Sequence, residues 1–262
     1  MARNTRRAPA PTSGEELIQL AIDLDLTALA ESLPGMLKNA ETDGPSFTDF
    51  TLKMFRIEID ARRSRRLERS LKRSRLQAVE GLEGFDFAAR PKLDPRVVKE
   101  LAGCRFVAEH RNLLCLGRAG LGKTRIAKAV AHAACLAGYS VLCVSASEMI
   151  EELHASPADQ TFIRAFRRYL KPAVLLIDEF GYQPFDAEAT DYLFRLVSAR
   201  HRQGSIILTA NTGFGNWKNL FPSEATAVAT VDRLVDGATI LRFSGTSFRR
   251  PHEIVGAPLE ED

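Results

Sequence analysis

The run Gly117-Arg118-Ala119-Gly120-Leu121-Gly122-Lys123-Thr124 has the G-x-x-x-x-G-K-[ST] spacing of a phosphate cradle. Its flanks suit that chemistry. Leu113–Leu116 reads as a buried strand, and Arg125–Leu136 as an alanine-rich helix. Glycines let successive backbone N–H groups turn inward onto phosphate oxygens, and the positive end of the following helix dipole adds to the attraction. The candidate contacts are Gly117, Gly120, Leu121, Gly122, Lys123, Thr124 and Arg125. Lys123 is expected to reach the β- and γ-phosphates, and Thr124 to place its hydroxyl on Mg²⁺. The implied ligand is ATP with Mg²⁺.

Further along, Val174-Leu175-Leu176-Ile177-Asp178-Glu179 is an apolar strand ending in two carboxylates. Open α/β sheets bind ligands at the carboxyl ends of their strands. Asp178 is the candidate for the metal shell. Glu179 is the candidate that orients and deprotonates an attacking water. Ser205–Ala210 reads as a third strand with Asn211 at its tip, where an amide can hydrogen-bond the γ-phosphate and the water. Alone, an asparagine after a strand is more often a turn residue; its place after the acidic strand favours the functional reading.

These groups need a scaffold. Five short apolar runs, Asn112–Leu116, Ser140–Val144, Ala173–Ile177, Ser205–Ala210 and Thr239–Phe243, alternate with helical patterns. That alternation predicts an α/β domain over 96–262, a five-stranded parallel sheet covered by helices. Residues 1–12 read as a disordered tail and 13–80 as a small all-helical domain, with 81–95 as a linker. In the helical part, Ser13 and Glu16 form a capping-box pattern, Pro34-Gly35 is expected to break a helix, and a long helix is expected from about Ser46 to Leu76.

The second half of that long helix carries Arg62, Arg63, Arg65, Arg66, Arg69, Lys72, Arg73 and Arg75 against one acid, Glu68. Like charges four residues apart repel, and a polyanion would relieve that cost. DNA phosphates are the leading partner, an acidic protein surface the other. Arg62, Arg65, Arg66, Arg69, Lys72 and Arg73 are the candidate DNA contacts. No base-reading motif is visible, so phosphate contacts with weak sequence preference are expected. Arg164, Arg167, Arg168 and Lys171 form a second basic cluster, a candidate lining for a channel in an oligomer.

Bulk properties exclude several classes. The chain has 262 residues, 45% of them hydrophobic, and a net charge of +3. No apolar run approaches the roughly 20 residues that span a bilayer, and no secretory signal opens the chain. Four cysteines without a C-x-x-C pair and five scattered histidines argue against disulfides and zinc and for a reducing cytoplasm.

The chain resembles the IstB-type ATP-binding proteins, transposition helper ATPases of insertion sequences related to DnaC-type helicase loaders. The resemblance is carried by Gly117–Thr124, Leu175–Tyr182, Leu208–Asn211 with Phe214 and Trp217, Val231-Asp232-Arg233-Leu234 and Gly245-Thr246-Ser247-Phe248-Arg249. Leu33–Met36, the basic helix and Phe85-Asp86-Phe87 also look like the family. The resemblance implies an AAA+ fold and a homo-oligomer with ATP between subunits. It further implies Arg233 as the finger offered to a neighbour's γ-phosphate and Arg249 as a sensor arginine in its own subunit. The implied role is an ATP-hydrolysing regulator of a DNA transposase. The alternatives are a DnaC-like helicase loader and an ATP-gated DNA-bending scaffold with little turnover. Arg118–Leu121 and Thr212-Gly213 depart from the family pattern, and the adenine contacts stay unassigned.

Overall fold

The structure, a computed structural model, describes residues 12–76, 81–156, 160–245 and 247. It divides into two compact units, 1–69 and 70–262, so the last turn of the basic helix goes with the second unit. Among the described residues, no helix is long and apolar enough to cross a membrane.

The first unit holds α1 (Ser13–Asp23), α2 (Thr27–Asp43) and most of α3 (Phe47–Ser74). Its core is Ala21, Leu29, Ala30, Leu33 and Met36, with Phe50, Met54 and Ile57 packed against it. Two local expectations fail. The capping box at α1 is Thr12 with Glu15, not Ser13 with Glu16. Both spacings overlap in the sequence, and the helix takes the earlier one. Pro34 does not break a helix either; α2 runs through it. An interior proline costs roughly 3 kcal/mol through its missing N–H and ring clash. Here Leu29, Leu33 and Met36 lie on both sides of it in the core and hold the helix together.

Glu58 on α3 is buried, and it caps the start of α2 by accepting from Ala28 N (3.1 Å) and Leu29 N (3.3 Å). Arg62 and Arg65 both donate to its Oε1, at 2.9 and 3.0 Å. Burial alone would raise this carboxyl; the hydrogen bonds and the two guanidinium charges hold it below its ordinary range.

The second unit contains α4 (Pro95–Ala102), α5 (Arg105–Ala108), β1 (Leu113–Leu116), α6 (Lys123–Leu136), β2 (Val141–Ser145), α7 (Ala146–His154) and α8 (Gln160–Leu170). It continues with β3 (Val174–Phe180), α9 (Ala187–Arg200), β4 (Ser205–Ala210), a 3-10 turn (Phe214–Asn219), α10 (Glu224–Val235) and β5 (Thr239–Arg242). The sheet is parallel in the order β2-β3-β4-β1-β5. Residues of β1, β3 and β4 lie in one core with Met149, Leu193 and Trp217, as a sheet covered on both faces requires.

All four cysteines are free and buried. Burial pushes Cys115 up to about 12 and Cys143 up to about 11, so they behave as small apolar side chains.

Candidate nucleotide site

The strand order places the tips of β1, β4 and β3 side by side, and each tip carries one part of the expected chemistry. After β1 the chain folds into the glycine-rich loop. Gly117 has φ 151°, and a Cβ there would sit 2.4 Å from Phe243 O, so only glycine fits. Gly122 is left-handed, with φ 90°, and precedes α6 without a side-chain cap. A helix start of this kind is one that suits an anion.

Lys123 is buried, and its Nζ donates to Arg118 O (2.7 Å) and Asn211 Oδ1 (2.9 Å). Thr124 Oγ1 donates to Asp178 Oδ1 at 2.9 Å. Loop lysine with strand-tip amide, and loop threonine with strand-tip carboxylate, are therefore within hydrogen-bond distance. β3 runs through Asp178 and Glu179 to Phe180, one residue past the expected carboxylate pair. Its pairing with β4 shifts register between Ile177 and Phe180. Glu179 sits in that shift with φ 57°.

A cavity of about 560 Å³ opens above this floor. Gly120, Leu121, Gly122, Lys123, Thr124 and Arg125 line it from the loop side, and Glu179, Thr209 and Asn211 from the strand tips. Gly84, Phe85 and Asp86 line it as well. Arg125 lies 5.7 Å from the Phe85 ring centroid and donates to Glu83 O.

Sequence reasoning missed two residues here. Arg90, almost fully buried, donates from Nε to Leu121 O at 3.0 Å and braces the loop from the segment read as a linker. Thr209 contacts both acids. In neither case does the residue type signal the role in one sequence.

Arg233 is not among the residues lining the cavity of its own chain. Its Nη1 donates to Ala229 O, and its guanidinium lies 4.9 Å from the Phe194 ring centroid. Arg249 lies outside the described residues. Of the expected DNA contacts, Arg62 and Arg65 are turned to Glu58. Arg66, Arg69, Lys72 and Arg73 are exposed, with no acidic partner among the described residues. Arg168 on α8 is tied to Glu152 at 2.8 Å, while Arg164 and Arg167 on the helix and Lys171 just past its end stay exposed.

A glycine loop feeding a helix, a lysine–asparagine pair and a carboxylate strand on this sheet define a P-loop nucleotide-binding fold of the AAA+ kind. Solved structures agree at the level of fold. The structure of DnaI matches 66% of this chain and 92% of its own, with TM-score 0.53 and 22% identity. AMPPCP-bound DnaA from Aquifex aeolicus matches 64% of this chain and about half (51%) of its own, with TM-score 0.53 and 19% identity. Within that class the chain belongs to the IstB-like ATP binding protein family, whose model matches residues 19–255. A Pseudomonas aeruginosa protein named for ATP binding and for insertion sequence IS21 is 35% identical over 234 residues, 89% of this chain and 88% of its own. A Geobacillus stearothermophilus protein named likewise for IS5376 is 31% identical over 226 residues, 86% of this chain and 90% of its own.

Proposed function

We propose that this protein binds ATP with Mg²⁺ in the cavity, hydrolyses it, and uses the cycle to assemble on DNA and release or activate a transposase. One observation carries the reading. Lys123, Thr124, Glu179 and Asn211 line one cavity at three adjacent strand tips, and Asp178 is tied to Thr124 beside it at 2.9 Å. The Thr124 hydroxyl and Asp178 carboxylate form a hard-oxygen pair, the donor chemistry that Mg²⁺ takes. Those two residues would hold the ion, which when bound neutralises charge on the β- and γ-phosphates.

The chain's own groups divide the rest of the work. The loop N–H groups and Lys123 bind the phosphates. Asn211 orients Lys123 and the γ-phosphate. Glu179 accepts the proton of the attacking water. Phe85 and Arg125 offer the purine an aromatic edge and a planar cation. Arg233, which does not line its own chain's cavity, is the arginine offered to a neighbouring subunit's γ-phosphate. The relatives' insertion-sequence names favour a transposase over a helicase as the partner.

Calorimetry of the full chain with Mg-nucleotide tests the central claim. Lys123→Ala removes a buried cation from the phosphate site, and the affinity should fall by about 2–5 kcal/mol, about 30-fold or more. Unchanged uptake in that variant would refute the site.

For DNA, neutralising Arg66, Arg69, Lys72 and Arg73 to glutamine should weaken binding and flatten its salt dependence. The slope of log K against log salt should drop by about 3–4 for four lost phosphate contacts. Neutralising Arg62 and Arg65 should instead lower the denaturation midpoint, because it strips Glu58 of its partners. If the two sets behave alike in both assays, the division of the helix into bracing and DNA-binding cations is wrong.

A further inference from the structure

Thr209 lies on β4 with 1% of its surface exposed, yet its hydroxyl touches both acids of the site. Oγ1 donates to Asp178 Oδ1 at 2.5 Å and accepts from Glu179 N at 3.0 Å. The reason lies in the register. Ile177 pairs with Leu208, but Phe180 pairs with Ala210, so β3 has one residue more than β4 over this stretch. Such a bulge leaves a backbone group without its ladder partner. The Glu179 N–H is that group, and the threonine hydroxyl replaces the missing strand carbonyl. Glu179 takes the left-handed φ of 57° at this point, a conformation that persists in a non-glycine residue only when its surroundings hold it.

The same hydroxyl carries one hydrogen and two lone pairs. Its hydrogen goes to Asp178 Oδ1, which also accepts from Thr124. One side chain therefore fixes the metal-side acid through its carboxylate and the water-side acid through its backbone.

We propose that Thr209 is the positioning residue that sets Asp178 and Glu179 relative to each other for nucleotide hydrolysis. This rests on the ATPase reading above. Thr209 transfers no proton. It acts through the two acids, as the outer partners of metal ligands do elsewhere, where their loss typically costs about 10–100-fold in metal affinity or activity.

The test compares Thr209→Val, which keeps the shape and loses the hydroxyl, with Thr209→Ser, which keeps the hydroxyl. Wild type and Glu179→Gln serve as references. Two quantities are read on folded full-length protein: steady-state phosphate release, and the Mg²⁺ concentration giving half-maximal binding of a fluorescent ATP analogue. Thr209→Val should bind the analogue like wild type without Mg²⁺ and require about tenfold more Mg²⁺ for the tight complex. Its kcat should fall about 10–100-fold with KM little changed, and Thr209→Ser should recover both. Wild-type kcat and Mg²⁺ requirement in the valine variant would overturn the proposal, as would a serine variant no better than valine. A hydroxyl that merely satisfies the bulge would change thermal stability and neither readout. If wild type itself releases no phosphate, the hydrolysis reading fails, and the Mg²⁺ titration alone still decides the role of Thr209.

Discussion

Glu179→Gln is expected to stop phosphate release while Mg-nucleotide binding continues at close to wild-type affinity. General-base help from a positioned side chain contributes about 10²–10⁴-fold, so the residual rate should lie at or below about a hundredth of wild type. The substitution is clean for structural reasons. Thr209 holds Glu179 through its backbone N–H, not its carboxylate, so the bulge and the left-handed turn survive an amide of the same size. The Glu179 side chain is exposed and makes no hydrogen bond among those described, so no core contact is lost. The loop residues Gly117–Thr124 are untouched. The amide keeps the shape and a lone pair toward the water but cannot take its proton. The variant should therefore accumulate as a nucleotide-bound species, and on DNA it should dissociate more slowly than wild type. Asp86 also lines the cavity, but its carboxylate accepts from Ala89 N and sits on the segment before α4 rather than on a strand tip. If Glu179→Gln retains a tenth or more of the wild-type rate in a phosphate-release assay, the water is activated elsewhere, and Asp86 is the next acid to substitute.

Most of the candidate site was legible in the sequence because each of its positions is restricted by type. Only glycine tolerates the close approach at residue 117, and a carboxylate pair after an apolar run is rare without a ligand. The sheet's existence was equally legible, since five apolar runs can be buried only by stacking them. Strand order was not, because it depends on pairings between residues far apart in the chain, such as Leu113 with Ile207. The acidic strand was legible as far as its two carboxylates, and the structure carries it one residue further, to Phe180. Thr209 was invisible for the opposite reason. A threonine in a strand is an ordinary β-former, and its hydroxyl acquires meaning only beside the bulge. The basic helix was read as one cationic surface, yet Glu58 stands four residues before Arg62, the spacing that pairs opposite charges, and that signal was available. Arg90 and Arg200 are the hardest cases. Arginine is almost never fully buried without a partner, so a sequence reading places both on the surface.

Arg200 is expected to be the most destabilising of these to replace. It is 2% exposed at the end of α9, and its guanidinium donates to Tyr169 O, Leu170 O, Pro172 O, Ala173 O and Ser205 O at 2.9–3.3 Å. Burial pushes its pKa down to about 10, which leaves it cationic at neutral pH. No carboxylate pairs with it among the described residues; five carbonyls share its charge. Arg200→Met keeps much of the side-chain volume and removes every donor. Each buried acceptor left unmade costs about 1–3 kcal/mol, and part of that is recovered by relief from burying a charge. A net loss of about 3–5 kcal/mol is therefore expected, read as a lower urea midpoint at constant slope. Arg200→Lys should fall in between, since three ammonium hydrogens cannot reach five carbonyls spread over a turn and a strand start. The clamp joins the turn before β3 to the first residue of β4, at the ends of those strands remote from Glu179 and Asn211. Nucleotide affinity of the folded fraction should consequently stay at the wild-type value. A loss below about 1 kcal/mol, the cost of an average substitution, would mean that water already satisfies these carbonyls. A parallel loss of nucleotide affinity would mean that the strand starts govern the geometry of their tips, and that the sheet moves as a rigid lever between clamp and site.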